Sequence, residues 1–351
     1  MNPYDFVRLD PGARVERKPF CPLNRYGGNE WITGRMEGTI EALRPIFLPK
    51  PSSGTPKQFL RSDARHAAII PGSSLKGLFR SVVETVAPGC WWLFQGTYKD
   101  KNNVVDYSDK LPRQYQHCSD IERLCPACRL FGMLGNPGAL LGKVAFEDAV
   151  CFDERPHPAG FTPPLAGPKP HHSAWYLSGD HVVGRKFYFH HEQPEFSSTR
   201  PAGAMQMVQN LQPLGAGSQF RFDVSFENVA EQDEWPLLIL ALVLEPGMRH
   251  KLGYAKSAGL GSVEVRVSKI EFVDPRARYR GAANGGRTIL EGESLTQHVA
   301  HQAAACAARA SARALDDLRR IWAWPPASGV RYRYPPQDWF AENAQLPISR
   351  T

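Results

Sequence analysis

Three cysteines fall within eleven residues, in the run Cys118-(x6)-Cys125-Pro-Ala-Cys128-Arg-Leu-Phe-Gly132. Two thiols separated by two residues can chelate one ion from a single turn, and a third seven positions upstream can close the loop onto it. Thiolates so spaced suit tetrahedral zinc, which takes Cys and His ligands and has no redox chemistry. The spacing leaves the fourth ligand open. Cys90 offers a further thiolate just after a predicted helix and is the first choice, His117 adjoins Cys118 with an awkward bite, and His66 is another option. Four protein ligands make a zinc site structural, because no coordination position is left for substrate. The expected metal set is therefore Cys90, Cys118, Cys125 and Cys128; the bland alternative is four buried free thiols.

Two loops have the composition of anion sites. Pro71-Gly72-Ser73-Ser74-Leu75-Lys76-Gly77-Leu78-Phe79-Arg80 opens a helix, where free amides, the helix dipole and a lysine all favour negative charge. It lacks the Gly-x4-Gly-Lys-Ser/Thr spacing of a nucleotide-hydrolysing loop, and an ordinary capped helix with a surface lysine reads about as well. In Gly253-Tyr254-Ala255-Lys256-Ser257-Ala258-Gly259-Leu260-Gly261, three glycines with a Lys and a Ser let backbone lie against a phosphate chain. That loop enters a strand, so it is not a dinucleotide fingerprint. Arg185-Lys186-Phe187-Tyr188-Phe189-His190-His191 interleaves basic and aromatic residues, as stacking platforms for single strands do, although Phe187 and Phe189 read better as core. His171, His172 and Lys169 read as solvated loop.

The elements that must position these loops follow from periodicity. Leu75, Leu78, Phe79, Val82, Val83 and Val86 recur at helical spacing, with Ser73 or Ser74 as N-cap and Pro88-Gly89 as the stop. Strands are predicted over 34–48, 142–152, 184–191, 218–227 and 262–272, with Phe220, Phe222, Val224 and Phe226 sharing one face. An apolar helix is predicted over 234–244 and an alanine-rich one over 296–322. Residues 1–30 read as an arm or edge segment, 153–183 as a Pro-, His- and Gly-rich insertion, and 273–295 as Arg- and Gly-rich. The order strand, helix, strand, strand, helix, strand is that of a ferredoxin-like unit in an α+β fold.

Composition sets outer bounds. The chain has 351 residues, 42% hydrophobic and 22% charged, which suits a packed core and excludes global disorder. A net charge of +7 favours an anionic partner. Seven cysteines, an odd number with three clustered, point to a reducing compartment with a metal site rather than a disulfide framework. The start shows no basic-then-apolar leader, and the apolar run Trp235–Leu244 is too short to cross a bilayer. A soluble cytoplasmic protein without a membrane partner is expected.

Taken together, the motifs resemble the RAMP superfamily, the repeat-associated proteins of CRISPR effector complexes. Four runs match in order: Ile-Pro-Gly-Ser-Ser-Leu-Lys-Gly-x2-Arg (70–80), Cys-Pro-Ala-Cys-Arg-Leu-Phe-Gly (125–132), Gly-Arg-Lys-Phe-Tyr (184–188) and Lys-Leu-Gly-x2-Lys-Ser-x-Gly-Leu-Gly-Ser-Val (251–263). The match looks closest to the backbone subunits of type III-like complexes, which carry a zinc-bound cysteine cluster of this kind. The resemblance implies a ferredoxin-like, RNA-recognition-like domain over 34–272, flanked by an N-terminal arm (1–33) and a C-terminal helix and tail (273–351). Within that domain it implies a zinc-binding segment at 90–132 and a thumb-like β-hairpin insertion at 153–183. It implies several copies stacked along a guide RNA, each splaying the duplex formed with a complementary target RNA or DNA, beside other effector-complex subunits. The positions matching guide contacts are Ser73, Ser74, Lys76, Arg80, Gly253, Lys256, Ser257 and Gly259. Target-slicing members place an aspartate in the loop after the first strand; Leu48–Gln58 contains no acid. Asp63 is the nearest carboxylate, so the expectation is a subunit that binds without cutting, with Asp63 or His66 the runner-up for catalysis and a separate nuclease the source of any cleavage. A guide-processing ribonuclease would need a pair such as His190 and His191, which alternate faces on a strand. A zinc-stabilised interaction protein with no RNA role is the remaining alternative.

Overall fold

A computed structural model describes residues 1–351 apart from 22–29, 52–53, 65, 101–102, 136–137, 166–171, 202–206, 308–309, 344 and 347–351. In chain order the elements that frame the site are β1 (Tyr4–Arg8), β2 (Trp31–Ala42), α1 (Gly72–Val86), α2 (Pro126–Phe131), β3 (Val144–Phe146) and β4 (Ala149–Asp153). They continue with β5 (Gly184–Tyr188), β6 (Gln219–Ala230), α3 (Trp235–Val243), β7 (His250–Lys251), β8 (Ser262–Val273) and α4 (Pro275–Tyr279). The last are β9 (Arg287–Leu290), α5 (Gly292–Ala307) and α6 (Ala312–Ile321).

The central sheet runs β7–β8–β2–β6–β4, with β3 also pairing β6 and β9 pairing the far end of β8. The pairings of β2 with β6 and β8, and of β6 with β4, are antiparallel. Register shifts between Phe226 and Val229 and between Val267 and Lys269 bend the long strands and curl the sheet. The alternation in β6 is as the sequence predicts: Phe220, Phe222, Val224 and Phe226 are buried, while Arg221 and Ser225 face out. Phe222 lies opposite Gly38, where a Cβ would come within 2.7 Å of its ring. Glycine there lets an aromatic ring lie across the strand.

Helix α1 buries Leu75, Phe79, Val82, Val83 and Val86. Helix α3 is apolar on all sides because it packs against α1, β8 and α5 at once. Beside its start, Glu234 is buried and accepts from Arg129 Nε (2.7 Å), Lys143 Nζ (2.7 Å) and the Ala230 amide (3.0 Å). One carboxylate thus holds two buried cations. Glu234→Gln is expected to lower unfolding free energy by about 3–5 kcal/mol, because both cations lose their charge partner in a dry site. Urea denaturation of the purified variant checks this, and an unchanged midpoint refutes it.

Several elements differ from the sequence reading, each through long-range contacts. The strand expected over 142–152 breaks into β3 and β4, and the break frees Asp148 for α1. The helix expected over 296–322 divides because Ser311 caps a new one, its hydroxyl accepting from the Ala314 amide at 3.3 Å. Residues 4–8, within a segment read as an arm or edge, take the edge alternative and pair with β5 in register from Tyr4↔Tyr188 to Arg8↔Gly184. Within 153–183 the one hairpin among the described residues is short, Leu177–Ser178 with His181–Val182. The longer ladder pairs Gly160–Phe161 with Asn210–Leu211 and continues from the Leu165 amide to the Met207 carbonyl, so half of it comes from beyond β5.

The C-terminal part covers the chain's own core. Leu315, Leu318 and Ile321 of α6 are buried, and Asp317 clamps Arg8 at 2.8 Å. Beyond α6, Tyr332 stacks on Phe189 (4.9 Å between centroids) and Tyr334 tilts against Tyr4 (6.1 Å). No helix among the described residues is long and apolar enough to cross a membrane.

Candidate functional site

The four sulfurs of Cys90, Cys118, Cys125 and Cys128 lie within 4.8 Å of one another, and all four residues are buried. Cys90 follows α1, whose end is turned by the Gly89 amide bonding Glu84 O. Cys125 is the N-cap of α2 and Cys128 sits inside it, with Pro126 fixing the first turn. Tetrahedral zinc–thiolate bonds of about 2.3 Å put sulfurs about 3.8 Å apart. The observed Cys90–Cys128 and Cys90–Cys125 separations are 3.5 and 3.7 Å, so this donor set fits a zinc ion. Neither His117 nor His66 joins the group: the His117 ring meets Trp92 edge-on at 6.3 Å, and His66 is exposed on a turn.

Donors other than the thiols themselves address its sulfurs. Arg17 Nη1 reaches Cys118 Sγ at 2.8 Å, the Cys125 amide reaches the same sulfur at 3.3 Å, and Arg80 Nη2 reaches Cys128 Sγ at 3.3 Å. Such contacts stabilise thiolates. Hydrogen bonds from Cys118, Cys128 and Cys90 hold the Cys125 thiol well below its ordinary value. The bonds made with Cys118, Cys125 and Cys90 push Cys128 up, because four thiols this close cannot all ionise unaided.

Arg80 therefore does more than the sequence suggests. Besides the sulfur it donates to Glu84 (2.7 Å) and to Gly132 O (2.7 Å), and its guanidinium lies 5.2 Å from the Trp92 ring centre. Arg185, half hidden in the basic-aromatic run, joins the other oxygen of Glu84 at 2.9 Å and donates to Gly89 O and Cys90 O. Glu84 thus ties α1 to β5 and to the cluster. Nothing local marks Arg17 or Arg185 for this duty; their hydrogen-bond partners are 95 to 106 residues away, which no spacing rule reaches.

The start of α1 differs from expectation. Its N-cap is Pro71, not Ser73 or Ser74, and has no side-chain cap. Instead the Gly72 amide donates to Asp148 Oδ1 at 2.8 Å, so a carboxylate from the β3–β4 turn supplies the acceptor that a serine was expected to provide. Ser73 is exposed and Ser74 half-buried. Lys76 lies one turn before Arg80, and burial together with that guanidinium lowers its pKa.

In the glycine-rich loop, Gly253, Gly259 and Gly261 take φ of +93°, +91° and +80°. At Gly261 a Cβ would lie 1.8 Å from Leu252 O, so no other residue closes this turn. Lys256 Nζ donates to Gly253 O at 2.6 Å, and its pKa is lowered mainly by burial. Ser257 bonds Tyr334 of the tail. Lys251, missed as a site residue, is buried with Nζ on Gly259 O and Ser262 Oγ, both at 3.1 Å.

The two loops face one groove of about 700 Å³. Ser74, Gly77 and Arg80 line one side and Lys251, Gly253 and Lys256 the other, with Arg185, Lys186 and Tyr188 between them and Trp91, Trp92 and Tyr254 adding aromatic surface. Ser73, Lys76, Ser257 and Gly259 lie outside this lining. Phe187 and Phe189 are core residues. His190 and His191 do not split between an inner and an outer face. Both are buried: His190 bonds Ser262 Oγ (2.8 Å) and Arg249 O (2.9 Å), and His191 packs on Tyr332 at 5.0 Å. Burial takes His190 well below its usual range and His191 to about 3. His172, expected in solvent, is buried and stacks on Trp339 at 5.5 Å; Lys169 and His171 lie outside the described residues. Asp63 is exposed on a turn and is not among the groove's lining residues.

No curated protein matches the sequence. Among solved structures, the chain is similar to one from the Csm3-Csm4 subcomplex in the type III-A CRISPR-Cas interference complex, at 18% identity over 78% of this chain and 97% of that one, with a TM-score of 0.36. Another is from the type III-B Cmr-beta complex bound to cognate target RNA, at 17% identity over 70% and 61%, with a TM-score of 0.35. The family model for the RAMP superfamily matches residues 39–264, a span that takes in α1, the cysteine cluster, β5 and the glycine-rich loop. The chain whose two loops and cysteine cluster frame this groove therefore belongs to the RAMP superfamily.

Proposed function

We propose that the chain is a guide-RNA-binding backbone subunit of a type III-like CRISPR effector complex, gripping one stretch of ribose-phosphate in the groove. The observation that carries this reading is the convergence of Ser74, Gly77 and Arg80 with Gly253 and Lys256 on one cavity. Asp148 already fills the end-on position at the α1 amides, so the strand runs past the side of the first turn. Ser74 addresses its phosphates from one side, with Lys76 beside it on α1 just outside the cavity lining, and Lys256 with the glycine-rich backbone from the other. These contacts position the strand while base pairing to the target carries sequence.

The strand order β8–β2–β6–β4, built from a strand, helix, strand, strand, helix, strand succession, supports a ferredoxin-like core. Zinc held by Cys90, Cys118, Cys125 and Cys128 would fix the segment that carries Trp91 and Trp92; with four thiolates its chemistry is structural. Further copies of the chain, other effector subunits and a target strand, RNA or DNA, are the partners of this reading, with the ladder of 160–165 and 207–211 as the insertion entering the guide–target duplex.

Binding without cutting is favoured over slicing because Asp63 stands on an exposed turn outside the groove, and cleavage needs a carboxylate or imidazole placed at the phosphate. The test is to purify the complex from expressing cells, recover its RNA, and add complementary RNA with a divalent metal. RNA is expected to co-purify and the complementary strand to stay intact. Regularly spaced cuts that disappear in Asp63→Ala would replace this reading with the slicing one, and an RNA-free complex would support a protein-interaction role.

A further inference from the structure

The far end of β8 carries a second basic feature, outside residues 39–264 matched by the family model. Residues 275–289, Pro-Arg-Ala-Arg-Tyr-Arg-Gly-Ala-Ala-Asn-Gly-Gly-Arg-Thr-Ile, hold four arginines and no carboxylate. Counting the capping Asp274, the turn carries a net charge of +3. The turn is a built element. Asp274 caps α4 by accepting from the Arg276 and Ala277 amides, and the Asp274 amide donates to Gly286 O at 2.7 Å. Arg276, Arg278 and Arg280 are exposed and make no side-chain ion pair among the described residues, whereas Arg287 pairs with Glu271 at 3.3 Å. Tyr279 stands 93% exposed between them. A tyrosine held in water among unpaired arginines contributes nothing to this fold's core.

A cavity of about 300 Å³ opens beside the same turn. Arg276 reaches its rim; Trp31, Phe272 and His298, packed among Lys143 and Trp235, contribute aromatic atoms to its walls, and Asn228, Glu231 and Asp274 add polar groups. The Trp31 face also meets Lys143 Nζ at 4.6 Å. Guanidinium groups in the open with a ring to stack on, next to an aromatic slot with polar edges, match the chemistry of a nucleotide: phosphate outside, base inside. A double helix presents no free base to such a slot, so the matching form is single-stranded.

We propose that the arginine turn 275–289 and the adjoining aromatic cavity form a second binding site for single-stranded RNA, separate from the groove. Eleven strand steps of about 3.3 Å put this site about 36 Å along β8 from the glycine-rich loop, at the opposite end of the sheet. An acidic protein surface is the competing partner, but it would use the arginines and leave the aromatic slot idle.

The experiment uses the full chain stripped of RNA and a fluorescein-labelled single-stranded RNA containing 4-thiouridine, long enough to reach both sites. In anisotropy titrations the triple variant Arg276→Ala, Arg278→Ala, Arg280→Ala is expected to bind about 10-fold more weakly at about 0.1 M salt. The slope of log affinity against log salt should fall by roughly 2, as for three lost phosphate contacts on a single strand. Photocrosslinking should mark Tyr279 in the wild type. Unchanged affinity and slope in the triple variant, or no crosslink at Tyr279, overturns the proposal. So does poly-glutamate that occupies the turn and is not displaced by RNA. Lys76→Glu with Lys256→Glu separates the two sites: loss there with a normal triple variant sinks only the second site, and loss in the triple variant alone sinks only the groove.

Discussion

Cys125→Ser, or exhaustive chelation, is expected to lower the melting temperature by at least about 4 °C. A structural zinc site contributes apparent binding energies of about 10–16 kcal/mol in small peptides, while whole domains are stable by only about 5–15 kcal/mol. Losing even a third of the former shifts a chain of this size by about 4–7 °C, at an unfolding entropy of about 2.1 cal/mol/K per residue. The effect should be global because the cluster lies within the main core with α1 residues such as Val83 and Val86. Cys151→Ser is the control, since Cys151 lies outside the quartet. Differential scanning fluorimetry with metal analysis decides the matter. One zinc per chain that disappears in Cys125→Ser supports the site; a metal-free wild type whose melting is indifferent to the substitution removes it.

The second large effect is on RNA affinity. Lys76→Glu with Lys256→Glu is expected to weaken binding about 100-fold near 0.15 M salt and to flatten the salt dependence by roughly two phosphate contacts. Both ammonium groups are partly desolvated, which lowers their pKa values. Lys256 donates to the Gly253 carbonyl at 2.6 Å and lies 6.0 Å from the Tyr188 ring centre, contacts that answer part of a charge. A phosphodiester supplies the rest, and so the gain on binding is larger than for a lysine in water. Charge reversal turns that gain into repulsion. Lys50→Glu, on an exposed lysine in neither of the two motif loops, controls for bulk charge. Equal losses in the control and the double variant would mean that net charge, not the groove, holds the RNA.

The sequence was most legible where physics is local. Chelating cysteines three apart, a two-residue alternation of phenylalanines and an i, i+3, i+4 run are each set by neighbours, and the cluster, β6 and α1 match them. The choice of Cys90 over His117 also followed from local sense, because a helix end delivers it. What stayed hidden depends on distant partners. Asp148 caps α1 from 76 residues downstream, so the serines that look like caps are not. Arg80 reads as a phosphate ligand in its motif, yet Glu84, Gly132 and Cys128 surround it. His172 reads as solvated loop until the tail brings Trp339 over it, and His190 and His191 read as opposite-facing until both prove buried, His191 under Tyr332. The ladder of 160–165 with 207–211 has its two strands on either side of β5, a discontinuity that no hairpin signal encodes.

Arg80 stands at once on the wall of the groove and at 3.3 Å from a cluster sulfur, under the face of Trp92. An oxidant or chelator approaching Cys128 from that side must displace this lid. Any ligand that holds Arg80 against the groove wall would also hold it over that sulfur, so binding there and access to the cysteine cluster would be coupled.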